Sequence, residues 1–216
     1  MATSRTGISK TGTVIAAAAG IAIAAGVGYG LHKATKKRSE ARAVVSVVSE
    51  TTTQLRDALK TPSPETLEKI EGNLRVAKTW SNAEIADATE IYLIGAREIL
   101  RRRTEATRYA QKAAASRAAL SAHMTRAAQR DTPWFRTALD LKKQVERDHV
   151  DLDIQLKALA DLLDTLPDAL KRLAPHVAAS LLLEDEFRRQ ARNAVLEEAK
   201  RASAELDKTR SLAMLR

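Results

Sequence analysis

The chain contains no cysteine among its 216 residues. This absence excludes disulfide bonds, thiolate metal sites and a cysteine nucleophile. Aromatic residues make up only 3% of the chain. Because strands favour aromatic and β-branched side chains, a β-rich domain is not expected. Proline and glycine are also scarce, with five and eight residues, so few positions interrupt a helix.

Alanine, leucine, arginine and glutamate are abundant instead, and all four are strong helix formers. This composition predicts an all-α protein. We expect a single N-terminal transmembrane helix followed by a four- to five-helix antiparallel bundle or a coiled-coil rod. The predicted parts are a tail over 1–10, a membrane anchor over 11–31, a basic juxtamembrane helix over 32–62 and a helical body over 63–216.

The anchor prediction depends on a run of 21 residues, 11–31, that carries no charge. Such a run is long enough to cross a bilayer as a helix. Small residues recur in it every four positions, and such rows let two helices approach closely in lipid. We therefore expect a surface for helix packing in the membrane and for self-association. Its residues are Gly12, Ala16, Gly20, Ala24 and Gly28.

Two other interpretations of this segment stay open. It also fits a cleaved signal peptide, with Arg5 and Lys10 as the basic start and residues 22–24 as a small-residue cleavage site. A mitochondrial import signal is the other interpretation, because no acidic residue precedes Glu40. The apolar stretch that continues to Leu31 argues against both.

Basic residues follow the apolar segment directly and predict its orientation. By the positive-inside rule the body lies in the cytoplasm, at a bacterial inner membrane. The same side chains are expected to contact anionic lipid head groups. They are Lys33, Lys36, Lys37, Arg38 and Arg42. The positive charge is concentrated early, since residues 1–60 carry a net +6 and residues 131–216 a net −1.

Prolines and capping residues divide the body into predicted helices. The juxtamembrane helix is expected to end near Leu59, and a helix over 64–79 follows, with Ser63 as its cap. The sequence Ser-Asn-Ala-Glu over 81–84 fits a capping box that opens a helix to about Gln129.

A further helix is predicted to start at the Asp-Thr-Pro-Trp sequence over 131–134. Pro167 and Pro175 are expected to kink it or divide it into short helices. A final helix should run from about His176 to the C-terminus.

Apolar residues repeat every seven positions in the second half of the chain. This periodicity is typical of a coiled coil or a bundle seam, in which one stripe of each helix is buried against its neighbours. The predicted seam residues are Val145, Leu152, Leu156, Leu159, Leu163, Leu166, Leu170 and Leu173.

The polar residues offer few candidates for a metal site. Glu146 and His149 form one Glu-x-x-His pair, whereas a di-metal bundle needs two such pairs and two further glutamates. None of the other histidines has a glutamate three residues before it. The sequence therefore predicts no metal and no cofactor.

Residues 97–130 are rich in arginine and lysine, with nine basic and two acidic side chains. A helix stripe here could contact an acidic protein partner or a membrane. Nucleic acid is disfavoured because only Tyr109 interleaves with the basic residues. The acidic run over 184–186 is a second candidate contact for this stretch. The stripe residues are Arg97, Arg101, Arg108 and Lys112.

No motif of catalysis is present: the chain has no glycine-rich phosphate loop, no nucleophile elbow and no His-Glu-x-x-His. We therefore expect no enzymatic activity and no small-molecule substrate. The leading hypothesis is a membrane-anchored helical scaffold that tethers or recruits a protein partner and also self-associates. The alternatives are a periplasmic sensor or ligand-binding bundle and a structural component of a phage or secretion assembly.

Overall fold

The computed structural model describes residues 39–61, 63–126 and 131–211. These residues form α-helices, one short 3₁₀-helix and turns, which confirms the all-α prediction. The five α-helices are α1 over 39–60, α2 over Pro64–Ala77, α3 over Ala83–Arg126, α4 over Thr132–Leu173 and α5 over Asp185–Arg210.

The predicted anchor, with its small residues Gly12, Ala16, Gly20, Ala24 and Gly28, lies outside the described residues. So do the basic residues at 33, 36, 37 and 38, whereas Arg42 is exposed on α1. No helix in the described ranges is both long and apolar enough to cross a bilayer. The chain divides into two compact units, Met1–Ala43 and Val44–Arg216, and the second unit contains the bundle.

The long helices of the bundle run antiparallel in order along the chain. Arg102 on α3 donates to Gln155 on α4 at 2.8 Å, and His123 near the end of α3 stacks on Trp134 near the start of α4. Lys142 near the start of α4 donates to the carbonyl of Arg210, the last residue of α5, at 3.2 Å. These contacts place α3 and α5 side by side on α4 and pointing in the same direction.

All eight residues of the predicted seam on α4 are buried, with exposed fractions between 0 and 9%. Seven of them belong to one core that also contains Tyr92 and Ile99 of α3 and Val195 of α5. The eighth, Val145, lies in a smaller core around Trp134 at the far end. The seam is therefore filled by helices of its own chain, as in a bundle rather than in a rod of several copies.

The helices α3 and α4 begin where predicted, with a side chain that caps each of them, and α2 begins where predicted without such a cap. Asp131 accepts a hydrogen bond from the backbone nitrogen of Trp134 at 2.9 Å and so caps α4. Asn82 accepts from the backbone nitrogen of Ile85 at 3.4 Å at the start of α3. Ser63 does precede α2, but its side chain makes no capping hydrogen bond, and Pro64 supplies the start through its fixed φ.

The final helix begins later than predicted. Pro175 follows the end of α4, as expected, but α5 starts at Asp185 rather than near residue 176. The connection contains a 3₁₀-helix over Ala179–Leu181. Its apolar side chains Val177, Leu182 and Leu183 are buried in the main core. These residues do not form a regular helix, because the chain turns here so that their side chains cover the end of the bundle.

The prediction that Pro167 divides the helix is wrong, since α4 continues through it from Thr132 to Leu173. A proline has no N–H, so the carbonyl of the residue four positions earlier loses its helical partner. That carbonyl belongs to Leu163, and the guanidinium of Arg188 on α5 donates to it at 3.1 Å. A side chain from a distant helix therefore replaces the missing backbone hydrogen bond.

Helix α1 is joined to α3 by a buried polar contact. The hydroxyls of Thr52 and Tyr92 lie 2.8 Å apart, and both residues are buried. Burial raises the pKa of the Tyr92 hydroxyl to about 12, although the hydrogen bond to Thr52 and the charge of Arg56 lower it. The contact fixes the position of α1 along α3, because a buried hydroxyl without a partner is costly.

We predict that Arg188→Met lowers the free energy of unfolding by about 2 kcal/mol, because it leaves the Leu163 carbonyl unpaired. In a protein that also carries Pro167→Ala, Arg188→Met should lower the free energy of unfolding by less than about 1 kcal/mol, because the alanine N–H then bonds to that carbonyl. Urea denaturation of the four proteins measures this coupling. Arg189→Met, at an exposed position on α5, is the matched control, and equal costs in both backgrounds would contradict the replacement.

A second prediction concerns alkaline pH. The folded pKa of Tyr92, about 12, is above the unfolded value of about 10. Its contribution to stability is therefore complete below pH 10 and is lost as the pH rises through 12, by about 2 to 3 kcal/mol in all. Urea denaturation between pH 9 and 12 should show this loss in the native chain and not in Tyr92→Phe. Identical pH profiles for the two proteins would exclude it.

Candidate functional site: a groove between α3 and α5

Helix α1 occupies only part of the space between α3 and α5. Thr52 contacts Tyr92 on α3, and Arg56 pairs with Glu184 at 3.2 Å and lies over the Phe187 ring at the start of α5. α1 ends at residue 60, beside Arg103 of α3, whereas α3 continues to Arg126. Beyond this point, no helix of the described ranges lies between α3 and α5, and a groove remains open.

The groove has a volume of about 240 Å³. Leu152 and Leu156 of α4 form an apolar floor, and His149 lies beside them. Alanines form most of the walls, with charged side chains at the rim. The wall and rim residues are Ala110, Ala113, Ala114, Arg117, Glu198, Arg201, Ala202 and Glu205.

Side-chain size explains why the groove exists here and not lower in the bundle. Beside α1, helix α3 contributes Tyr92, Leu93 and Ile99 to the core, and these large side chains are completely buried. Beyond Arg103 the corresponding face carries alanines, which cannot reach across to α5. The alanine-rich face was visible in the sequence, but the helix that ends before covering it was not.

Two ion pairs between α3 and α5 bound the groove. Arg103 donates to both carboxylate oxygens of Glu198, at 2.7 and 3.2 Å, and its side chain is only 14% exposed. Arg117 donates to Glu205 at 2.8 Å and is 51% exposed. Hydrogen bonds from Lys208 and Arg117 lower the pKa of the Glu205 carboxyl. The Arg117–Glu205 ion pair is more exposed to water than the Arg103–Glu198 pair, so it contributes less to holding α3 and α5 together.

His149 is buried at the floor of the groove, and its Nδ1 lies 2.8 Å from the carbonyl oxygen of Val145. Because a carbonyl only accepts hydrogen bonds, Nδ1 carries a proton in this contact. The ring is thus held by its own helix. No group of three or more histidine or carboxylate side chains in the described residues is arranged to hold a metal ion.

The predicted basic stripe is not part of the groove. Arg101 is bound within its own helix by Glu98 at 2.6 Å and Glu105 at 3.1 Å, and its hydrogen bond is the main cause of a lowered pKa of the Glu98 carboxyl. Arg108 and Lys112 lie over the ring of Tyr109, at 5.2 and 5.3 Å. Within the described ranges, Arg97, Arg108 and Lys112 form no ion pair.

The acidic run over 184–186 does not meet the arginine-rich stretch. Glu184 pairs with Arg56, and Asp185 pairs with Arg188 at 3.5 Å. The arginine-rich stretch forms ion pairs instead with Glu198 and Glu205, further along α5. Glu198 and Glu205 could not be identified from the sequence, because their pairing depends on how far α5 is displaced along α3, which the late start of α5 determines.

A wider opening of about 420 Å³ lies at the other end of the bundle, between the start of α3 and the end of α4. Glu84 and His176 face each other across it at 3.8 Å, but Glu84 is 81% exposed. This opening is larger than the groove and has no leucine floor. We regard the groove as the candidate site because buried leucines and close ion pairs define it.

Comparison of the chain with protein-family models, with curated proteins and with solved structures finds no match to any of them. The function is therefore argued from the residues of this chain. A groove with an apolar floor, small walls and a charged rim can accept an apolar side chain and hydrogen-bond to polar groups around it.

Proposed function

We propose that the protein is a membrane-anchored helical scaffold that recruits a protein partner, and that a helix of the partner docks in the groove between α3 and α5. The observation that carries the proposal is the open groove beyond the end of α1. Leu152 and Leu156 at its floor offer an apolar contact. The partner helix would lie over α3 and α5 and insert an apolar side chain toward Leu152 and Leu156, between the ion pairs of Arg103 and Arg117. Binding of an amphipathic helix in an apolar groove is a common mode of recognition.

The size of the groove favours a protein side chain over a small ligand. Its volume of about 240 Å³ is below the roughly 300–1,000 Å³ that is typical of small-molecule pockets. A few anchor side chains in a central pocket supply most of the affinity of many protein interfaces. The volume therefore weighs against a small ligand in this groove, and the alternative of a ligand-binding bundle stays a prediction. The alternative of a phage or secretion component stays a prediction from the long helices and the small-residue anchor.

The membrane part of the proposal rests on the sequence alone. The uncharged run over 11–31 and the basic residues after it support an anchor with the body in the cytoplasm of a bacterium. Such an anchor would restrict the scaffold to two dimensions and raise the local concentration of any recruited partner. Recruitment at a surface needs no catalytic group.

The groove can be tested by site-specific photo-cross-linking of the full-length protein in native membranes. A photoreactive side chain at Ala114, which is exposed in the groove, should capture a partner, and one at Ala115, exposed on the side of α3 that faces away from the groove, should not. Ala110→Phe should reduce the adduct at position 114 at least tenfold, because the phenyl ring fills the groove. Equal adducts from both positions, or no effect of Ala110→Phe, would contradict docking in the groove.

The anchor and its orientation can be tested by protease accessibility in spheroplasts, followed by N-terminal sequencing. We expect the chain in the membrane fraction with residues 11–31 retained and the body protected from external protease. Recovery of the intact chain in the supernatant would exclude the anchor. Cleavage of the body from outside would place it in the periplasm and favour the sensor alternative.

A further inference from the structure

Helix α4 carries a row of exposed apolar side chains on the side that faces away from the core. Phe135, Leu139, Val150 and Ile154 are 43, 38, 36 and 53% exposed. Their spacing keeps them within an arc of about 100° on the helix. Isolated exposed apolar residues are ordinary, but these four share one face of the helix and form two apolar pairs on either side of a charged centre.

The row has an internal symmetry about a point between Gln144 and Val145. Phe135 and Ile154 lie equally far from this point, and so do Leu139 and Val150. The two residues of the same face nearest to the centre are Lys143 and Glu146, which also mirror each other. The face therefore presents the same order of apolar and charged positions from either end, with opposite charges at mirrored sites.

This symmetry is what two identical helices need to pair in antiparallel orientation. A two-fold axis at the centre brings each residue opposite its mirrored position in the second copy. Phe135 then meets Ile154, and Leu139 meets Val150. Lys143 of each copy meets Glu146 of the other, which gives two equivalent ion pairs. A parallel pairing would instead bring Lys143 against Lys143 and Glu146 against Glu146, which is repulsive.

The central charges are available for such a contact. In the part of the chain that the structure describes, neither Lys143 nor Glu146 takes part in an ion pair or a hydrogen bond. Elsewhere on α4, Lys157 pairs with Asp153 at 2.6 Å and Lys171 with Asp168 at 3.4 Å. Among the described residues, Lys143 and Glu146 therefore have no ion-pair partner in their own chain, and both lie at the centre of the apolar row.

We propose that this face of α4 docks onto the same face of a second copy of the chain, antiparallel and about a two-fold axis. The contact extends over about 29 Å, the length of the helix from Phe135 to Ile154. One pair of helices buries an area at the lower end of that found in stable complexes, so the dimer is reversible. The proposal is independent of the groove and would stand if no partner helix bound there.

The register can be tested with cysteines, because the native chain has none. Full-length Phe135→Cys and Ile154→Cys proteins, with different tags, are mixed in detergent and treated with a short bis-maleimide. We expect the mixed adduct to exceed the adduct of Phe135→Cys with itself at least tenfold, since like positions lie about 29 Å apart. A dominant self-adduct, or no adduct, would overturn the proposal. Leu139→Cys with Val150→Cys repeats the test with a pair nearer the centre.

The charges at the centre supply the second test, on the same cross-link. Lys143→Glu or Glu146→Lys alone should lower the yield of the mixed adduct about tenfold, because two attractive contacts become repulsive. The double variant Lys143→Glu/Glu146→Lys should restore it to within about threefold. No loss in the single variants, or no recovery in the double variant, would overturn the pairing. Association through residues 11–31 would not respond to these charges, so the test is specific for α4.

Discussion

Burial of the leucine row of α4 is the constraint on which the rest of the bundle depends. α3 and α5 both pack on this row, and they do so from two sides, so that the core includes residues of all three long helices. A row of this length requires an unbroken helix, although Pro167 removes one of its hydrogen bonds. The guanidinium of Arg188 therefore has a structural task beyond its ion pairs, since it binds the free carbonyl of Leu163. The continuity of the central helix and the docking of α5 are thus secured by the same side chain.

The helices that periodicity indicates were predictable, because both the heptad row and the cap at Asp131 depend on residues close in sequence. The features that were not predictable depend on distant contacts. The local effect of Pro167 is to break a helix, and only the position of Arg188 on another helix reverses it. Residues 176–184 are apolar enough for a helix, but three of their side chains are buried at the end of the bundle in a non-helical path. The groove is not encoded in any single segment, because it results from α1 ending where alanines begin on α3.

The groove and the exposed apolar face involve the same turns of α4 but lie on opposite sides of that helix. Leu152 and Leu156 face the groove, and Val150 and Ile154 lie nearly opposite on the same stretch of helix. A helix bound in the groove would therefore not cover the outer face, and pairing of two copies would not close the groove. The outer face of α4 exposes large apolar side chains, whereas the walls of the groove consist mainly of alanines. This division allows one rigid helix to support two contacts at once.

The attachment of α1 has a mechanical consequence. Within the unit that contains the bundle, α1 extends without a break from Val44 to residue 60, so a force along its axis acts on that whole length. α1 runs in the same direction as α3 and α5, and its contacts with them, from Thr52 to Arg56 and Leu59, are distributed along its length. A pull along this axis loads these contacts together, in shear, rather than one after another from the end. The attachment of α1 to the rest of the bundle therefore resists a force along the helix axis better than a force that lifts α1 away from one end.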